Sequence, residues 1–297
     1  MSMRIFFSSL GTLLILFGSF AYGESPPRSL PGPEFEWRLI TAATTRASFD
    51  DVAGDVRFTR VRPELHLTQT FGPGFFGVLN VSAERDFYSI RGPATPGNFT
   101  FDQASRFSMG FNLQKVPLDQ WGFFAMGVLG VAAEDNGKFS DGFYGFGGAG
   151  VSTRLNDDIV VGLGLGGSLN LERSNSLFPL PFVRWQITED LLLTTRNGAI
   201  LRYQAEEHWA ISWKTLYENR EWALGQTGTT SKGAFRDRYI SSGLATEYTV
   251  SPGWVLRGQA KALFLRKNEI RDGNSNRLFS EDANVTAFFE FSTAYQF

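Results

Sequence analysis

Between residues 284 and 297 the chain alternates with a period of two. Val285, Ala287, Phe289, Phe291, Thr293, Tyr295 and Phe297 fall on one face, and Asn284, Thr286, Phe288, Glu290, Ser292, Ala294 and Gln296 on the other. Successive side chains of an extended strand point to opposite sides, so this spacing is that of a strand with an apolar face and a mixed face. The pattern recurs upstream. Trp254, Leu256, Gly258, Ala260, Ala262 and Phe264 oppose Arg257, Gln259 and Lys261; Trp209, Ile211, Trp213, Thr215 and Tyr217 oppose Ser212, Lys214, Glu218 and Arg220. Phe107, Met109, Phe111 and Leu113 oppose Arg106, Ser108, Asn112 and Gln114; Val61, Pro63, Leu65 and Leu67 oppose Arg60, Arg62, Glu64 and His66. Segments 121–133 and 159–169 are apolar and glycine-rich on both faces. Strands that meet hydrocarbon on one side and a polar interior on the other need this alternation over about 9–11 residues.

The connections sort by length. Short turns are expected at 70–74, 115–120, 155–158, 188–190, 204–207 and 251–253. Long ones are expected at 89–103, 134–141, 171–180, 225–236 and 268–283, all rich in Gly, Asn, Ser, Asp or Pro. Tight turns at one end and longer loops at the other mark a membrane barrel, whereas a soluble sandwich has no reason to segregate them. Trp37, Trp121, Trp185, Trp209 and Trp254 all fall near the short-turn end, where aromatic rings settle at a membrane–water boundary.

The fold class expected is therefore all-β: a transmembrane, antiparallel, up-and-down barrel. Strands are placed near 35–47, 56–69, 75–88, 104–114, 120–133, 141–154, 158–170, 181–188, 208–222, 236–250, 254–267 and 284–297. Segment 191–204 makes fourteen strands if it turns as a hairpin at Asn197-Gly198; otherwise the count is twelve, and twelve is the preferred reading.

The N-terminus bears on location. Arg4 precedes an apolar run from Ile5 to Phe20, and Ala21-Tyr22-Gly23 offers small residues where a signal peptidase reads. Residues 1–23 read as a cleaved secretory signal peptide, 24–34 as a proline-rich periplasmic leader and 35–297 as the barrel. The run is shorter than the roughly 20 residues a spanning helix needs. The 297-residue chain has no Cys, which removes disulfides, thiolate metal sites and lipoprotein anchoring; its net charge of −2 gives no footprint for nucleic acid.

The C-terminal pattern resembles the assembly signal of bacterial outer-membrane β-barrel proteins: a terminal Phe297, an aromatic Tyr295 two residues earlier, then Phe291 and Phe289 alternating beyond, with Thr293 as the weaker member. That resemblance implies recognition by the outer-membrane barrel-assembly machinery and a place in the outer membrane. A looser likeness covers the C-terminal two-thirds. Pro181-Phe-Val-Arg-Trp185, Thr188-Glu-Asp190, Arg202-Tyr203 and the Trp213 strand look like an uncharacterised outer-membrane barrel family carrying a domain of unknown function. In that family a proline commonly stands where this chain has Arg196 to Gly198. The likeness implies a fold and no activity.

Catalytic groups are sparse. His66 and His208 are the two histidines, and both fall at the short-turn end, opposite to where outer-membrane phospholipases and omptin-type proteases hold theirs. An enzyme is therefore not expected. Glu206-Glu207-His208, Asp157-Asp158 and Glu281-Asp282 read as solvated turns rather than metal sites, and no cofactor is expected. Gly162-Leu-Gly-Leu-Gly166 lacks the spacing and following helix of a phosphate-binding loop. What remains is charge of inward parity: Arg60, Arg62, Glu64, Glu84, Arg106, Arg184, Lys214, Glu218, Glu247, Arg257, Lys261 and Glu290 are the candidate lumen-lining residues. The expectation is a narrow passive channel for small polar solutes. The alternative is a structural or binding barrel that presents loops to a partner or to lipopolysaccharide. Outer-membrane lipid is the surrounding partner in either case.

Overall fold

A computed structural model describes residues 33–91, 101–117, 121–171, 175–195, 198–225 and 233–297. The signal peptide and residues 24–32 of the leader lie outside this range, and Pro33 and Glu34 already belong to the first strand.

The strands are β1 (Pro33–Thr44), β2 (Ala47–Ser48), β3 (Asp55–Gly72), β4 (Phe75–Arg91), β5 (Gln103–Lys115), β6 (Trp121–Glu134), β7 (Phe143–Arg154) and β8 (Ile159–Leu169). They continue as β9 (Ser176–Gln186), β10 (Leu191–Thr194), β11 (Ala199–Glu206), β12 (Trp209–Ala223), β13 (Ala234–Ser251), β14 (Trp254–Arg271), β15 (Arg277–Ala283) and β16 (Thr286–Gln296). Consecutive strands pair antiparallel, and β1 pairs with both β3 and β16, which closes the sheet into a barrel. The short β2 prolongs β1 along β3, and β15 prolongs β16 along β14. The barrel therefore has 14 strands, not the preferred twelve.

The additional pair is β10–β11, with Leu193 opposite Leu201. β10 has only four residues, Leu191-Leu-Leu-Thr194, too few and too uniform to display an alternation. Loop 171–180 is also shorter than expected, because β9 begins at Ser176 and runs through Pro179 and Pro181. β10 meets β9 only at Arg184–Gln186, so both prolines sit where β9 has a partner on one side alone, the place a sheet tolerates a missing N–H. The expected loop 268–283 is mostly a hairpin, β14 running to Arg271 and β15 starting at Arg277. The expected loops 89–103 and 225–236 lie largely outside the described residues.

The two ends of the described chain meet: Phe35 and Phe297 exchange backbone hydrogen bonds of 3.2 and 2.9 Å, and their rings stack at 5.9 Å. This end, called the near end below, carries tight turns such as 73–74 and 252–253, where Gly74 and Gly253 take positive φ. The outer face of the barrel is apolar, with Leu65, Val81, Phe107, Met109, Leu165, Leu244, Phe289 and Phe291 all exposed. The five tryptophans expected at one rim are exposed there, and Trp209 and Trp254 donate their Nε1–H to Thr246 and Thr293 at 2.7 and 2.8 Å. Only Trp222 is fully buried among the described tryptophans.

Candidate functional site

Opposite the apolar face, the interior side chains divide into three groups. The first is a charged network on β3, β4, β5 and β12. Arg60 Nε lies 2.7 Å from Asp86 and 3.4 Å from Glu84. Arg62 reaches Glu64 at 2.9 Å and Glu84 at 3.6 Å, and Arg106 reaches Glu84 at 3.7 Å. Arg220 on β12 ion-pairs with Glu84 on β4, with Asp86 at 3.6 Å and with Glu218 at 3.6 Å. Strands β4 and β12 share no backbone hydrogen bonds, so this contact crosses the barrel interior. Glu218 also accepts from Tyr239 Oη at 3.0 Å. Asp237 accepts from Arg266, Asn268 and Tyr88 at 2.8–3.0 Å. Such charges are tolerated away from water only with close partners, and here each carboxylate has several.

Above this network, at the far end, sits an aromatic stopper. Tyr88, Phe101, Trp222 and Phe235 meet with ring centroids 4.4–5.8 Å apart, and Phe58 lies 5.4 Å from Tyr88. The guanidiniums of Arg106 and Arg220 lie 5.2 and 5.5 Å from the Trp222 ring, joining the stopper to the ions below. The geometry that delivers Trp222 follows from uneven strand lengths. β11 accompanies β12 only as far as Thr215, so beyond it β12 has β13 on one side and no wall on the other. The end of β12 folds across the mouth, where Ala223 bridges to Ala133 of β6 and Gly225 N–H donates to Glu134 at 2.8 Å.

The second group is apolar. On β6–β9, Phe124, Met126, Phe146, Val160, Phe178, Leu180 and Phe182 form one buried cluster. Glycines on the same inner face make room for it. A Cβ on Gly162 would stand 2.0 Å from the Phe182 ring, and one on Gly150 would stand 2.5 Å from that of Phe124. The run Gly162-Leu-Gly-Leu-Gly166 is therefore a wall on which rings lie flat.

The third group lies nearer the chain ends. Glu247 holds Arg202 and Arg257 at 3.1 and 2.6 Å, and Gln259 donates to Glu290 at 2.6 Å. Arg38 pairs with Glu36 at 2.5 Å and stands 3.9 Å from Glu64. Lys214 and Lys261 both stand opposite Gly243, one from each neighbouring strand, and neither is ion-paired with a carboxylate among the described residues. Lys261 lies 5.6 Å from the Phe288 ring. Arg184 shares the inner face of β9 with Phe182 and is half-buried.

All twelve residues expected to line a lumen thus lie on the inner face, though the structure spreads them over two levels rather than one site. Asp86, Arg220, Asp237 and Arg266 were missing from that expectation. Asp86 has the parity of Glu84 two residues away and was legible; Arg220 likewise follows Glu218. Arg266 was not, because a bulge at Leu265, with φ of 52°, reverses the alternation that Lys261 sets. His66 is buried with Nε2 3.0 Å from Glu64, and His208 lies in the tight turn 207–208. Among the described residues no His, Asp and Glu gather as a metal site.

A closed barrel with an apolar outside and an ionic inside is the architecture of a membrane-spanning β-barrel. No protein-family model matches the chain, so its likeness to an uncharacterised barrel family finds no support there, and no curated protein matches it. Among solved structures, an outer membrane channel from Pseudomonas putida F1 is similar at 11% identity and a TM-score of 0.49, covering 92% of this chain and 100% of that one. The toluene transporter TodX of P. putida is similar at 10% identity and 0.40, covering 90% of each chain. The KdgM porin is similar at 9% identity and 0.36, covering 88% of this chain and 99% of its own.

Proposed function

We propose that this chain is an outer-membrane barrel that serves as a narrow passive channel for small polar solutes. One observation carries the reading: among the described residues, Lys214 and Lys261 project inward without an ion-paired carboxylate, whereas the arginines above them are paired. An ammonium left alone in a dry core would cost several kcal/mol, so these two call for water or a passing anion around them. The near half of the interior is accordingly wet, lined by Lys214, Lys261, Arg257, Glu247 and Glu290. The charged network and the stopper around Trp222 form its constriction. In this orientation the tight turns and both termini face the periplasm. Phe289, Phe291, Tyr295 and Phe297, exposed along β16, serve as the assembly signal.

A second reading has one observation in its favour. The stopper and the neutralised network would also suit a barrel that transports nothing and acts through its surface. Recording in planar bilayers separates the two. The channel reading expects small unitary currents from the native chain and larger ones from Trp222→Ala, which removes the ring at the centre of the stopper. Silence from both at every voltage favours the second reading and discards the first.

A further inference from the structure

On the near half of the inner wall, Lys214 of β12 and Lys261 of β14 flank the same residue, Gly243 of β13. Gly243 carries no side chain, so the two lysine stems follow one another around that rung. Their backbones stand two strand spacings apart, about 10 Å. Lys214 lies within electrostatic range of Lys261, Glu247 and Glu290, and Lys261 within range of Glu218. Two of these three carboxylates are engaged by other cations. Glu247 holds Arg202 and Arg257 at 3.1 and 2.6 Å, and Glu218 accepts from Tyr239 Oη at 3.0 Å and stands 3.6 Å from Arg220. Glu290 is bound by the neutral Gln259 amide at 2.6 Å, so its charge offsets one ammonium group and leaves the other.

A neutral donor stands one step further along the same face. Ser241, two residues from Gly243 on β13, is 1% exposed, and its hydroxyl has no hydrogen-bond partner among the described residues. A buried hydroxyl normally has a partner, and this one keeps its O–H to give. Around these three donors the wall is apolar. Ile200 stands opposite Lys214, and Leu216 and Leu263 flank Ser241. Phe288 stands opposite Lys261, whose ammonium lies 5.6 Å from its ring. These four apolar side chains are at most 7% exposed. Two ammonium groups and a hydroxyl therefore converge within a frame of Ile, Leu and Phe.

We infer that this part of the interior binds a small monocarboxylate with a compact apolar body, the class of solute that the channel takes. The inference rests on the wet near half of the interior proposed above. The carboxylate sits between Lys214 and Lys261 and accepts from the Ser241 hydroxyl. Its apolar body lies against Phe288, Leu263 and Leu216. Hydrogen bonds from an ammonium to a carboxylate are stronger than neutral ones, and an apolar surround strengthens them further. One negative charge matches the one ammonium that Glu290 leaves over, whereas a dianion would carry a second charge toward Glu290 with nothing to offset it. An uncharged solute would leave both ammonium groups as they are. The arginines of the constriction already hold carboxylates of the chain, so the lysines are where an incoming anion finds its partner.

Titration calorimetry of the full chain in detergent tests the inference without requiring conduction, with butyrate, butyramide and succinate as probes. Butyrate is expected to bind at one site, and butyramide and succinate at least tenfold more weakly. K261M should lower butyrate affinity about tenfold, the scale of one charge-assisted hydrogen bond, and K261R should keep most of it. S241A, a change too small to threaten the barrel, should lower it about threefold, the scale of one neutral hydrogen bond. Heat-modifiable gel migration verifies that each variant is folded. In planar bilayers, butyrate current should saturate with concentration in the native chain and rise linearly in K214M/K261M. Binding with this variant pattern in a chain that is silent in bilayers upholds the site and discards the channel. Equal binding of butyrate and butyramide, or unchanged affinity in folded K261M and S241A, overturns the inference whatever the conductance.

Discussion

The interior of this barrel has two arcs built on opposite solutions to one problem. Strands β3–β5 and β12–β14 fill their inner face with arginine and carboxylate, whereas β6–β9 fill theirs with glycine and phenylalanine. Both must occupy space behind a wall whose outer side meets lipid. The charged arc does so with long side chains, whose stems pack while their heads pair across the lumen, as Arg220 does with Glu84. The glycine arc uses flat rings that need a bare backbone to lie on, as Phe182 lies on Gly162. The first solution is cooperative, since each ion serves several partners. The second is local, since each ring answers to one or two glycines. The arcs should therefore fail differently when one residue is changed.

Glu84 is where the charged arc is most exposed to damage. It is buried and stands within ion-pair reach of Arg60, Arg62, Arg106 and Arg220. Glu84→Gln leaves four guanidiniums short of a countercharge and is expected to destabilise the folded barrel by about 3–5 kcal/mol. Urea unfolding in micelles, followed by tryptophan fluorescence and gel shift, measures the loss. The double variant Glu84→Met with Arg220→Met removes a partner from each side, and about 1–3 kcal/mol of the Glu84→Met loss should return. If the double variant is no better than Glu84→Met alone, Arg220 draws no support from Glu84 and the cooperative account of this arc is wrong.

In the glycine arc the expected effects are smaller and confined to one contact. Gly162→Ala places a methyl group 2.0 Å from the present position of the Phe182 ring, which must turn or shift. Overpacking of this kind costs about 1–3 kcal/mol. Phe182→Leu in the same chain removes the obstructing ring edge and should restore most of it. Gly150→Ala crowds Phe124 and the β8 backbone at Leu163 and Gly164, and because the Phe124 ring meets that of Phe182 edge-on at 5.3 Å it should couple to Gly162→Ala, though less than Glu84 couples to Arg220. The same unfolding curves decide the matter, and a strong coupling between the two glycine sites would erase the distinction drawn between the arcs.

The two arcs also differed in how far the sequence revealed them. Alternation of large apolar with charged residues is a strong signal, so 57–68 and 254–264 could be oriented residue by residue, and the charges at Arg60, Arg62, Glu64, Arg257 and Lys261 were placed inward. Where both faces are apolar, as at 159–169, alternation has no contrast to display, and the wall of glycines was visible only as composition. Three further features were hidden for separate reasons. The β10–β11 hairpin hid because four residues cannot establish a period. Arg266 and Asn268 hid because a single bulge at Leu265 reverses parity. The stopper hid because it depends on β12 outrunning β11 and folding across the mouth, a contact between segments far apart in the chain. The barrel was thus legible from local pattern, its strand count less so, and its closed far mouth not at all.

The smallest expected effect on stability lies where the charged arc gives up its pairing. Lys214 and Lys261 flank Gly243, where the β14 backbone approaches so closely that a Cβ would stand 2.2 Å from the Ala260 carbonyl oxygen. If they are solvated by a wet lumen, Lys214→Met removes no native ion pair, and the folded barrel should change by less than about 0.5 kcal/mol, as at an ordinary surface position. The change should appear instead in ion selectivity. With unequal potassium chloride on the two sides of a bilayer, the native reversal potential is expected to lean toward chloride, because two fixed positive charges concentrate anions in a narrow, low-dielectric passage. Lys214→Met should move it toward zero, and Lys214→Met with Lys261→Met further. A large gain in stability from Lys214→Met would mean that the ammonium sits in a dry core at a cost, and the near half of the interior would then be as closed as the far mouth.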